Sequence, residues 1–148
     1  MKTEYKIISD IIDKSSRVLD VGCDDGALME YLKQNKDVDI RGIEISKEKV
    51  QTCISKGLTV LEGNAELDLK QFPNKSFDYV VLGQTLQAFI NPEIVIKELL
   101  RVGKKAIVTI PNFGHWKVRL NLLFKGTMPV TKTCLLYTSD AADDMQCV

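Results

Sequence analysis

A doubly wound, mostly parallel α/β sheet is the fold class this sequence predicts, and three observations carry the prediction. Arg17-Val18-Leu19-Asp20-Val21 is a short apolar run without polar alternation, the pattern of a strand buried on both faces. The run breaks at Gly22-Cys23-Asp24-Asp25-Gly26 and resumes from Ala27 with apolar residues at helical spacing. Further short apolar runs recur down the chain with helical patterns between them, as in βαβ units.

In order, Tyr5, Ile8, Ile11 and Ile12 repeat at helical spacing, so the chain opens with a helix lying against the sheet. Ser15-Ser16 punctuates, and the first strand covers Arg17 to Val21. A helix from Ala27 to Asn35 turns Leu28, Tyr31 and Leu32 inward. The second strand ends at Glu44, and Ser46 is placed to cap a helix that runs to Lys56. Gly57 fits the left-handed position that closes it. Leu58 to Glu62 reads as the third strand and Phe77 to Leu82 as the fourth, after a turn at Phe72-Pro73-Asn74-Lys75-Ser76. Asn91-Pro92-Glu93 starts a helix with a cap, a proline at its first position and an acid in its first turn. That helix buries Val95, Ile96, Leu99 and Leu100 and ends at Gly103; Ala106 to Ile110 is the fifth strand, stopped by Pro111.

At 148 residues, 45% apolar and 27% charged, the chain reads as one globular domain, small for such a sheet. Twenty basic residues balance twenty acidic ones, which argues against nucleic acid or an anionic membrane as a partner. No apolar run reaches the length of a membrane span, and the start reads as an amphipathic helix and not as a signal peptide. Cys23, Cys53, Cys134 and Cys147 show no C-x-x-C spacing, so the expected compartment is a reducing cytoplasm. His115 is the only histidine, which excludes a multi-histidine metal site within this chain.

The turn after the first strand carries the chemistry. Gly22 lets the chain turn sharply, and Gly26 is expected to let the loop approach a ligand closely. The helix that follows presents unpaired N–H groups that favour a carboxylate or phosphate. A dinucleotide fingerprint would need glycine at the positions of Gly22, Asp24 and Ala27, and only the first matches, so a nicotinamide cofactor is disfavoured. Asp20-x-Gly22-x-x-x-Gly26 instead resembles the first motif of the class I S-adenosylmethionine-dependent methyltransferases, with Glu44, 24 positions after Asp20, resembling the second-strand acid. The resemblance implies a Rossmann-like fold, S-adenosyl-L-methionine as cofactor, glycine-rich backbone along its methionine part and Glu44 on its ribose hydroxyls. It assigns the cofactor to Asp20, Gly22, Cys23, Gly26, Glu44, Ile45, Asn64, Ala65 and Gln84, with Gly63-Asn64-Ala65 where the family reads the adenine.

Five segments are more specific: "RVLDVGCDDGAL", "GIEIS", "FDYVVLGQTLQAF", "LLRVGKKAIVTIPNFGHWKVR" and "KGTMPVT". Together they are very similar to the methionine biosynthesis protein MetW family, the Pro111–Arg119 segment most of all. That resemblance implies a methyltransferase-like protein acting with homoserine O-acyltransferase in methionine biosynthesis; the alternative is a methyltransferase acting on a small molecule. His115 is the one candidate for a catalytic base, and a structural role is the plainer reading of a lone histidine after a strand. The chain departs from the family pattern in three places. Asp24 stands where glycine is typical, which puts a side chain and a charge into the loop and is expected to weaken the site. Asn64 stands where aspartate is frequent. From Cys134 the chain reads "CLLYTSDAADDMQCV", unlike the family and like a translated sequencing adapter joined to a truncated gene. Residues 1–133 are therefore expected to form a truncated domain lacking its last strands, with an open sheet edge.

Between Val102 and Thr133 lie Lys104, Lys105, Lys117, Arg119, Lys125 and Lys132 and no acid. The plain reading is a solvated face; the sharper one is a docking surface for an acidic partner, with Trp116 and Arg119 as anchors.

Overall fold

A computed structural model describes residues 2–83, 85–111, 133–138 and 146–147. Helix α1 (Lys2–Ile11) leads into strand β1 (Arg17–Val21), helix α2 (Ala27–Lys36), strand β2 (Asp39–Glu44), helix α3 (Lys47–Ser55) and strand β3 (Thr59–Glu62). A four-residue helix α4 (Ala65–Asp68) precedes strand β4 (Phe77–Gly83), helix α5 (Pro92–Val102) and strand β5 (Gly103–Pro111). Strands β6 (Thr133–Thr138) and β7 (Gln146–Cys147) complete the described elements.

The strand order is β3-β2-β1-β4-β5-β6-β7. The first five strands run parallel, with Asp20 level with Gly42 on one side and Val81 on the other. β6 is antiparallel to β5, from Ala106↔Thr138 to Pro111↔Thr133, and β7 pairs antiparallel with β6. The β5 edge that the sequence leaves open is thus occupied in the structure.

Alternation along buried strands sends neighbouring residues to opposite faces. Val18 of β1 joins Ile8 of α1, Ile12 just after it, Leu28, Met29 and Leu32 of α2 and Cys53 of α3 in one buried cluster. Leu19 and Val21 face the other way, with Ala65 of α4 and Val95, Leu99 and Val102 of α5. Helices therefore cover both faces, as the sequence predicts. The chain winds outward through β1, β2 and β3, then returns to lay β4 beside β1. That reversal opens a crevice at the carboxyl ends of β1 and β4, where open α/β sheets bind ligands.

Some local expectations change. Ser46 stands at the cap position of α3 without a side-chain capping bond, and Gly103 closes α5 in extended backbone that passes directly into β5. Gly57 is left-handed as expected, at φ 72°. Of the acid-free basic stretch, Lys104 pairs with Asp78 at 2.8 Å and Lys105 donates to the Tyr79 hydroxyl at 3.1 Å. Lys117, Arg119, Lys125 and Lys132 lie outside the described residues. No helix among the described residues is long and apolar enough to cross a membrane.

Candidate functional site

The turn after β1 is fixed by β2. The backbone N–H groups of Gly22 and Cys23 both donate to the Ile43 carbonyl, at 2.8 and 3.3 Å. Gly22 is left-handed (φ 71°), and a Cβ there would come within 3.1 Å of Thr85 Oγ1, so only glycine fits without strain. Gly26 is also left-handed (φ 78°), but it serves the fold: a Cβ would stand 2.4 Å from Leu58 Cδ1 and 3.0 Å from Cys53 Sγ. It lines neither cavity at the site. Its lack of a side chain lets the loop pack down on Cys53 of α3 and on Leu58, just before β3.

Glu44 is the centre of the arrangement. It is 7% exposed, and each carboxylate oxygen accepts one backbone N–H, Oε2 from Asp24 at 3.0 Å and Oε1 from Ser46 at 2.9 Å. The two bonds hold the carboxylate at the end of β2 while each oxygen keeps further acceptor capacity. Asp20 is 2% exposed. Burial, and then the like charge of Glu44, push its carboxyl up to about 7.

Helix α3 clamps the loop from outside. Lys49 Nζ lies 2.6 Å from Asp24 Oδ1, the Cys53 thiol donates to the Asp24 carbonyl at 3.2 Å, and Lys56 Nζ donates to the Asp25 carbonyl at 2.7 Å. Asp24 itself sits at φ 52°, backbone that glycine adopts freely and aspartate at some cost. Its charge is answered by Lys49, which softens the repulsion the sequence leads one to expect.

Two cavities meet at this turn. The smaller, about 250 Å³, is lined by Asp20, Gly22, Cys23, Asp24 and Asp25 and, from α1, by Glu4, Tyr5 and Ile8. The larger, about 520 Å³, runs along Glu44, Ile45, Asn64 and Ala65 to Phe89 and Ile90. Gly22, Asp24 and Gly83 line both. The site residues expected from the sequence thus divide: Asp20 and Cys23 on the acidic side, Glu44, Ile45, Asn64 and Ala65 on the other, and Gly22 between them. Asn64 Oδ1 accepts the Glu66 N–H at 2.9 Å, so part of its hydrogen-bonding capacity caps α4. Burial raises the Cys23 thiol well above the usual range, which keeps it a neutral wall residue. Gln84 and His115 lie outside the described residues. No group of three or more metal-ligating side chains occurs among the described residues.

Sequence reasoning missed the contribution of α1. Tyr5 falls on the apolar stripe, and nothing local distinguishes a stripe residue that packs from one that also borders a cavity. Lys49 was missed as well, since its partner lies on another element.

Comparison with known proteins places this geometry. The family model described as methionine biosynthesis protein MetW matches residues 2–142. The chain belongs to the MetW family. It is 30% identical over 137 residues, 87% of the chain, to the bifunctional methionine biosynthesis protein MetXA/MetW of Rhodopirellula baltica. It is 31% identical over 134 residues, 80% of the chain, to the demethylmenaquinone methyltransferase of Listeria welshimeri. The chain spans 22% of the first relative's length and 56% of the second's. Among solved structures, an S-adenosylmethionine-dependent methyltransferase from Archaeoglobus fulgidus superposes with a TM-score of 0.72 at 20% identity, covering 88% of this chain and 61% of that one. A possible histamine N-methyltransferase from Thermotoga maritima gives 0.70 at 24% identity, covering 84% and 58%. The fold of this MetW-family chain is that of the S-adenosylmethionine-dependent methyltransferases.

Proposed function

We propose that this chain binds S-adenosyl-L-methionine across the two cavities and acts with homoserine O-acyltransferase in the methionine biosynthesis of a cytoplasmic cell compartment. The observation that carries the binding is Glu44: a buried carboxylate, held by the Asp24 and Ser46 N–H groups, whose two oxygens keep acceptor capacity towards the larger cavity. Paired hydroxyls on a ribose fit a fixed carboxylate, Gly22 leaves room for the ligand to cross, and the acidic cavity suits an amino group.

In this reading Glu44 orients the ribose, Ile45 offers its exposed side chain to the flat face of the adenine, and Asn64 and Ala65 border the base. Asp20 holds the cationic end, while α3 keeps the loop in place through Lys49, Cys53 and Lys56. When bound, the cofactor supplies an electrophilic methyl group on a sulfonium. Transfer of such a group needs alignment more than a strong base, so the site chemistry does not depend on His115.

The partner is supported by the Rhodopirellula relative, whose name joins MetXA and MetW in one chain. Co-purification with homoserine O-acyltransferase, repeated with and without S-adenosylmethionine, tests it. Trp116→Ala and Arg119→Glu are expected to cut partner binding while cofactor affinity holds; co-purification at wild-type yield in both variants places the contact elsewhere. A second reading, methyl transfer to a small molecule, is supported by the demethylmenaquinone methyltransferase relative. Its test is transfer of labelled methyl to a panel of acceptors.

A further inference from the structure

The sheet ends on one side at β3, which has β2 beside it and no strand beyond among the described residues. Gly63, just after β3, donates its N–H to the Glu44 carbonyl at 2.9 Å. By the two-residue repeat of a strand, Thr59, Leu61 and Gly63 turn their backbone groups to β2, and Val60 and Glu62 turn theirs outward. Leu58 adds only its C=O to the open edge, since its N–H donates to the Cys53 carbonyl at 3.1 Å.

Natural sheet edges are blunted by charge, by proline or by brevity. The opposite edge follows that rule, because β7 has two residues. The β3 edge does not: Leu58-Thr59-Val60-Leu61 carries neither charge nor proline. Large apolar side chains flank it on both faces. Val60 packs into the cluster of α1, α2 and α3, so Leu61, level with Ile43 of the other cluster, faces the α4 and α5 side. Leu61 is 48% exposed there, and Leu67 of α4 is 66% exposed. On the other face, Cys53 and Ile54 lie on opposite flanks of the buried Val50 of α3. Cys53 reaches inward to the Asp24 carbonyl, which turns Ile54, 58% exposed, to the open edge.

We infer that β3 pairs edge to edge with β3 of a second copy of this chain, antiparallel about a two-fold axis beside Val60. The strand is complementary to itself in that register. The two Val60 residues exchange N–H···O=C bonds, as an antiparallel hydrogen-bonded pair requires, because both backbone groups of Val60 point outward. Glu62 donates its N–H to the Leu58 C=O of the second copy, the one backbone group that Leu58 leaves open. Leu61 then stands opposite Thr59 of the second copy and diagonal to its Leu61, which takes both leucines out of water. A slip by one residue would set Val60 against a residue whose backbone groups are already given to β2. The edge is small: β3 and α3 are each about 13 Å long, from four residues at about 3.3 Å and nine at about 1.5 Å. Over three layers the face stays below the about 800 Å² per partner of a standard interface, so the dimer is expected to exchange with monomer at micromolar concentration.

Sedimentation equilibrium of the full chain across about a hundredfold range of concentration tests this. The expected result is a mass that climbs from one chain to two. Amide exchange at Val60 and Glu62 is expected to slow as the dimer fills, with Leu61, already bonded to β2, little changed. Leu61→Lys and Ile54→Lys alter exposed positions and put a cation on each side of the axis; each is expected to raise the dissociation constant about tenfold or more. The second variant keeps the test open should the first fold poorly. A mass of one chain throughout overturns the inference, as does a dimer whose strength is unchanged in both variants, which places the contact on another face. A chain that stays single by itself, and whose Val60 and Glu62 amides slow only with homoserine O-acyltransferase present, also overturns it and gives the edge to that partner.

Discussion

Glu44 carries two loads in this structure, and replacing it separates them. Its carboxylate accepts the Asp24 N–H at 3.0 Å and the Ser46 N–H at 2.9 Å while only 7% exposed, so Glu44→Ala strands two backbone donors at the end of β2. Hydrogen bonds to an ionised group contribute roughly 1.5–3 kcal/mol each. Two of them set a ceiling of about 3–6 kcal/mol, and relief of the repulsion between Glu44 and the buried Asp20 lowers it. The expected loss of stability is about 2–3 kcal/mol by urea unfolding. Glu44→Gln is expected to fare little better, because one carbonyl oxygen serves one of the two donors and the amide NH2 meets the other. The second load is the ribose, whose loss is expected to weaken S-adenosylmethionine binding at least about tenfold in either variant, measured by calorimetry under conditions where both remain folded. A Glu44→Gln protein with wild-type midpoint and wild-type affinity refutes the reasoning on both counts.

Asp20, whose carboxyl titrates near 7 when folded and near 3.8 when unfolded, binds more protons in the folded state between those values. Stability of the ligand-free chain is therefore expected to fall as pH rises from about 4 to about 7, and Asp20→Asn to flatten that slope; parallel pH–stability curves for the two proteins count against it. Gly26→Ala adds a methyl 2.4 Å from Leu58 Cδ1 in left-handed backbone and is expected to cost about 2–4 kcal/mol by urea unfolding; a cost under about 1 kcal/mol means the loop rearranges freely. Asp24→Gly relaxes a residue at φ 52° but gives up an exposed pair with Lys49, so its stability is expected to stay within about 1 kcal/mol of wild type. A larger change marks the pair as a structural clamp.

The sheet was legible in the sequence because its strands are buried on both faces. Arg17-Val18-Leu19-Asp20-Val21 admits no polar alternation, and its bounds match β1 residue for residue. The glycine turn and the acid at the end of β2 were legible for the same reason: both stand where an apolar run stops. What local pattern could not give was contact between distant segments. That Gly26 must also clear Leu58 and Cys53, 32 and 27 positions away, has no local signal. Asn64 lines the larger cavity as its position suggests, but the cap its side chain also gives α4 was not legible, because a helix of four residues is too short to leave a periodic signal. Ser46 has the right residue type at the right place, yet makes no capping bond; its backbone N–H serves Glu44 instead. The pairing of Thr133–Thr138 with β5 was not expected, because the sequence from Cys134 reads as unlike the family, whereas the family model extends through residue 142.

The central claim is that the cavities on either side of Gly22 hold S-adenosylmethionine. Calorimetric titration of the full chain with S-adenosylmethionine, run beside NAD as the nucleotide that the glycine spacing disfavours, tests it most directly. The account predicts saturable binding of one S-adenosylmethionine per chain and no measurable heat of binding for NAD. A folded chain that gives no saturable signal with S-adenosylmethionine, or that binds NAD equally well, contradicts it.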